Sequence, residues 1–76
     1  MEVLIKKLTT GDIMVFDKKT RELFLISPQH AAVWEAGADQ SVNFARHLAE
    51  SGQASHFTRH DLEVLQSALA RVTVLG

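Results

Sequence analysis

Two runs of large apolar residues, Ile13-Met14-Val15-Phe16 and Leu23-Phe24-Leu25-Ile26, stand on either side of the charged string Asp17-Lys18-Lys19-Thr20-Arg21. The pattern predicts two antiparallel strands, "DIMVF" and "ELFLI", joined by a polar loop of hairpin length. Side chains alternate across a sheet, so Ile13 and Val15 point one way while Met14 and Phe16 point the other; Leu23 and Leu25 likewise oppose Phe24 and Ile26. Both strands are therefore apolar on both faces. Such strands call for cover on each side, and a chain of 76 residues has little with which to supply it.

Upstream, "VLIKKL" (residues 3–8) reads as a first strand, and Thr9-Thr10-Gly11-Asp12 as the turn after it, with Gly11 able to take positive φ. A three-stranded antiparallel meander is the expectation. At Ser27 the signals change: Ser27 is a favoured N-cap, and Pro28 suits the first helical position, where its missing N–H costs nothing. Helix one is predicted from Pro28 to Ala36. It carries Ala31, Ala32, Val33, Trp34 and Ala36 on nearly every side, which predicts a path through the middle of the domain, and Gly37 ends it. Helix two, Ser41 to Ser51, sets Val42, Phe44, Ala45, Leu48 and Ala49 against Asn43, Arg46, His47 and Glu50, and stops at Gly52. Helix three opens at Thr58, with Asp61 completing a variant capping box, and carries Leu62, Leu65, Leu69 and Val72 as its buried stripe. The tail "TVLG" adds a short extended segment or closes the core.

Strands followed by helices make an α+β domain, with the helices packed on one face of a small sheet. The opposite face stays open. Leaving ~4 to 6 large apolar side chains in water there forgoes ~1.5 to 3 kcal/mol each, so a second chain is expected unless the helices wrap further. The edges of the meander are its first and third strands, and edges attract other strands unless blunted. Strand one carries Lys6 and Lys7, whereas strand three runs unbroken from Leu23 to Ile26. An extended peptide is accordingly expected to add beside residues 22–27. The competing expectations are cover by the C-terminal helix or tail, and a homodimer paired through strand three with Phe24 in its interface.

Charge narrows the partners. Eight Lys and Arg against nine Asp and Glu give −1, which offers no attraction to phosphate backbones or anionic lipid. A winged-helix DNA binder shares the element inventory and would use Arg59, His60 and Arg71 of helix three, but Asp61 and Glu63 lie on that same helix. No nucleic acid is expected. Cysteine is absent, which removes disulfides and thiolate zinc sites. No apolar stretch approaches the ~20 residues that cross a bilayer, and Glu2 and a strand-like run follow Met1 instead of a basic segment. A soluble, unprocessed, cytoplasmic protein of one domain spanning residues 1–76, with no membrane partner, is the expectation.

Catalytic chemistry is thinly represented. His56 and His60 have the spacing of a ligand pair on a helix, yet a cap at Thr58 puts His56 outside helix three, and no acid cluster or Cys completes a site. His30 and Glu35 flank helix one without a third group to orient a base beside a nucleophile. Ser27 is better spent on capping, four dispersed glycines make no phosphate loop, and Trp34 reads as a core anchor. The expectation is a protein that is not an enzyme and uses neither metal nor cofactor.

The string "GDIMVFDKKTRELFLISPQHAAVWEA", residues 11–36, resembles the PqqD family, in particular its short peptide chaperones. Shared features are the hairpin with a charged turn, an apolar strand ending in Ser or Asn, an Ala-rich helix start and a closing "VWE". Further on, "GADQSVNFARHLAESG" keeps Ser41, Leu48 and Ala49 in matching places but has Asn43 and Phe44 where acids are common, and "DLEVLQSALARVTVLG" fits a final helix. The resemblance covers about a third of the chain well. It implies a winged-helix-like RiPP recognition element, three strands plus three helices, that binds the leader segment of a ribosomally made precursor peptide. By position it implies that the leader adds as a strand along Leu23, Phe24, Leu25 and Ile26, in a groove shared with Leu62, Leu65 and Leu69. It also implies a modification enzyme, such as a radical-SAM protein or a peptidase, to which the bound substrate is handed.

Overall fold

The computed structural model describes residues 2–37 and 40–75, with side chains described through Leu69. The elements run β1 (Val3–Lys7), β2 (Ile13–Asp17), β3 (Glu22–Ile26), a 3₁₀ turn (Pro28–His30), α1 (Ala31–Ala36), α2 (Val42–Glu50), β4 (Ala54–Phe57) and α3 (Arg59–Leu75). The four strands form one antiparallel sheet in the order β1-β2-β3-β4. The class is α+β.

Local chemistry accounts for most of the joints. Gly11 takes φ +92 in the β1–β2 turn, closed by the Leu8 N–H to the Asp12 carbonyl at 2.8 Å, a conformation open to glycine at little steric cost. In the β2–β3 loop the Asp17 carboxylate accepts from the Lys19 N–H at 2.9 Å, and the Arg21 N–H donates to the Asp17 carbonyl at 2.8 Å. That loop leaves Arg21 at φ +63. Ser41 caps α2 by accepting from the Phe44 N–H. Thr58 and Asp61 reciprocate at the start of α3: the Thr58 N–H donates to the Asp61 carboxylate at 2.8 Å and the Asp61 N–H to the Thr58 hydroxyl at 3.2 Å.

The core lies on one face of the sheet. Ile13, Val15, Phe24 and Ile26 point inward from β2 and β3, met by Ala31 and Trp34 of α1 and Ala45 and Leu48 of α2. Trp34 is 1 % exposed and stacks on Phe44, ring centroids 5.5 Å apart.

Several expectations are corrected. The sheet has four strands, not three, because the segment between the second and third helices is extended and pairs with β3. The first helix begins as a 3₁₀ turn, and the Ser27 hydroxyl makes no capping bond. It does not run through the middle of the domain: only Ala31 and Trp34 are buried, and Val33 is 45 % exposed. The stripe on α3 is not buried either. Leu62 is half-buried, while Leu65 and Leu69 are exposed, because this helix leaves the sheet after its first turns. Val72 lies outside the described side chains. Residues 73–75 belong to α3, so they form no extended tail.

Candidate functional site

Strand register settles which side chains share the second face. Residues directly opposite in antiparallel strands point to the same side. Leu4 pairs with Phe16, Phe16 with Leu23 and Leu23 with Phe57. An unbroken apolar row therefore crosses all four strands. Beside it runs a second row, Lys6, Met14, Leu25 and Ser55. None of these side chains is buried, and Leu4 is 44 % exposed. One row of the face the helices leave open is thus apolar from edge to edge, and the row beside it is apolar at Met14 and Leu25 between Lys6 and Ser55.

The first part of α3 stands at one end of this face. A groove of about 370 Å³ lies between the β2–β3 loop and the helix, lined by Phe16, Arg21, Arg59, Leu62, Glu63 and Gln66. Leu62 and Phe16 supply its apolar surface. Past the groove, Leu65 and Leu69 are 50 % and 59 % exposed, on the same side of the helix as Leu62.

The outer edge of β3 is closed. β4 pairs with it from Leu23–Phe57 to Ile26–Ala54, so the open acceptor edge expected along residues 22–27 is absent. Side chains hold this closure as well as the ladder. His56 stacks on Phe24 with ring centroids 4.5 Å apart and planes 4° from parallel, while its Nε2 lies 2.6 Å from the Glu22 carboxylate. Arg46 of α2 grips the same carboxylate with two N–H groups at 3.1 Å each and lies over the Phe24 ring. The bidentate Arg46 pairing, more than the contacts from Thr20 and His56, holds the Glu22 carboxyl at about 2, against the opposing effect of burial.

The structure divides the residues expected to bind peptide. Leu23 and Leu25 lie on the open face. Phe24 and Ile26 are 0 % exposed and belong to the core, so they are corrected from binding to packing residues. Leu62 lines the groove; Leu65 and Leu69 are exposed further along α3. Leu4, Met14, Phe16 and Phe57 share the face but were absent from the expected set. The alternation in β2 already placed Met14 and Phe16 together, and only the register shows that they join Leu23 and Leu25. His56 is on β4 and His60 in the first turn of α3; among the described residues no group of three or more His, Cys, Asp or Glu could hold a metal ion. No helix among them is long and apolar enough to cross a membrane.

Comparison of the chain with protein-family models, with curated proteins and with solved structures finds no match.

Proposed function

We propose that this protein is a non-catalytic peptide chaperone of winged-helix-like design. It binds the leader segment of a ribosomally made precursor peptide and delivers it to a modification enzyme such as a radical-SAM protein or a peptidase. The observation that carries the reading is the row Leu4–Phe16–Leu23–Phe57, apolar across the whole sheet and nowhere buried. The guest lies on this face and against α3, not along the edge of β3, which β4 occupies. The resemblance of residues 11–36 to PqqD-type chaperones supports the class of guest.

The test is calorimetry with the precursor peptide encoded beside the gene. Leu23→Asp and Leu25→Asp put a charge on the open face without touching the core, and each should weaken binding about tenfold or more. Asn43→Ala, on the exposed side of α2, should leave affinity unchanged. Equal affinities across the three variants would remove the face from the reading.

A further inference from the structure

We propose that the groove between the β2–β3 loop and α3 selects acidic guests: polypeptide segments in which a carboxylate side chain sits next to a large apolar one. The inference rests on the peptide-binding reading and specifies the chemistry of the guest.

Four observations support it. The groove combines an apolar surface, Phe16 and Leu62, with two guanidinium groups, Arg21 and Arg59. Among the described residues Arg59 makes one side-chain hydrogen bond, from its Nε to Glu63 at 3.4 Å, with both side chains well exposed, and that bond does not engage its terminal N–H groups. Arg21 makes no side-chain hydrogen bond or ion pair among the described residues. Lys18 and Lys19 extend the positive charge along the same loop, against Asp17, which is engaged with the Lys19 N–H, and Glu63, which is engaged with Arg59.

The backbone at Arg21 adds an independent argument. Its φ of +63 is the left-handed region, where a Cβ is sterically disfavoured and glycine, asparagine or aspartate is the usual occupant. An arginine there is locally unfavourable, and its guanidinium lines the groove without an ion-pair partner among the described residues. A carboxylate between Arg21 and Arg59 would gain charge-assisted hydrogen bonds, while its apolar neighbour would cover Phe16 and Leu62. A phosphate backbone would satisfy the arginines but leave those two side chains in water.

The experiment is fluorescence anisotropy with two labelled synthetic peptides, one alternating leucine with glutamate and the other alternating leucine with lysine. The glutamate peptide should bind about tenfold more tightly, with the difference shrinking as salt is raised. Arg21→Gly suits the left-handed backbone, so its melting temperature should equal or exceed that of the parent. It should nonetheless abolish most of the preference for glutamate, and Arg21→Lys should retain part of it. Equal affinity for the two peptides, or an unchanged preference in Arg21→Gly, overturns the inference. Leu25→Asp tests the underlying reading separately: if it weakens both peptides while Arg21→Gly alters neither, the face binds polypeptide without charge selection. A single-stranded oligonucleotide bound with the same dependence on Arg21 would overturn the choice of carboxylate over phosphate.

Discussion

Glu22 joins three elements through one carboxylate: it lies on β3, accepts two bonds from Arg46 on α2 and meets His56 on β4. Its side chain is 16 % exposed and that of Arg46 39 %, so water screens part of the pair. Glu22→Gln should cost about 0.5 to 1.5 kcal/mol in urea unfolding. The sign of the acid response follows from the depressed carboxyl. A group ordinarily near 4.5 and held at about 2 in the folded chain contributes stability that is fully present above about 4.5 and is lost as the pH falls towards 2. The parent should lose stability across that window more steeply than Glu22→Gln. Parallel acid titrations would show that this carboxylate does not hold the sheet. Its neighbours on β3 separate cleanly. Ile26→Ala removes buried volume and should cost about 2 to 5 kcal/mol, whereas Leu25→Ala on the open face should cost less than about 1.5 kcal/mol. Similar losses for the two would contradict the assignment of opposite faces. The alternation in "ELFLI" made the separation of these residues legible. It did not say which set the helices cover, because both sets are equally apolar and only tertiary packing chooses.

At the scale of elements, the parts written in local chemistry were readable and the part held by distant contacts was not. The Gly11 turn and the Thr58–Asp61 capping box each depend on residues within a few positions of one another, whereas Ser27, read as a cap by the same rule, makes no capping bond. β4 does not. Ala54-Ser55-His56-Phe57 has no run of branched apolar residues, and what fixes it as a strand is the stacking of His56 on Phe24 and its contact with Glu22, 34 positions away in sequence. The helical stripe on α3 was equally visible, yet a stripe identifies a side and not what packs against it, so Leu65 and Leu69 read as buried when they are exposed. The consequence of β4 is measurable by amide exchange. Backbone amides of Glu22–Ile26 should be protected as strongly as those of β2 in the protein alone, since β3 has strands on both sides. Fast exchange along β3 without any guest would mean that β4 does not occupy the edge. Deleting the paired stretch of β4, by contrast, should expose β3 and lower stability together, because the same residues close the edge and cover Phe24.

The whole molecule has more surface than its mass requires. A compact chain of 8.4 kDa should expose roughly 4600 Å², and this one exposes 5456 Å². The difference is about 850 Å², and a standard protein interface takes ~800 Å² from each partner. The excess has a visible source. α3 is 17 residues long and projects beyond the sheet, giving extents of 44 × 25 × 23 Å, while the sheet's second face has the first part of α3 at one end and its apolar row Leu4–Phe16–Leu23–Phe57 nowhere buried. Covering that face with a guest of comparable contact area would remove apolar surface from water on both sides, and such burial lowers the heat capacity. For about 1700 Å² of mixed surface, somewhat more than half of it apolar, the change on binding should be about −0.3 kcal/mol/K. Calorimetry of the precursor peptide at several temperatures measures it as the slope of enthalpy. Sedimentation of the protein alone belongs beside that measurement, because a second copy seated on the same face would already have covered the surface and would reduce the slope. A monomer with a clearly negative slope is the expected pair of results. A monomer whose guest binds with a slope near zero would place the guest on polar surface, leaving Leu4, Phe16, Leu23 and Phe57 in water and without the role proposed for them.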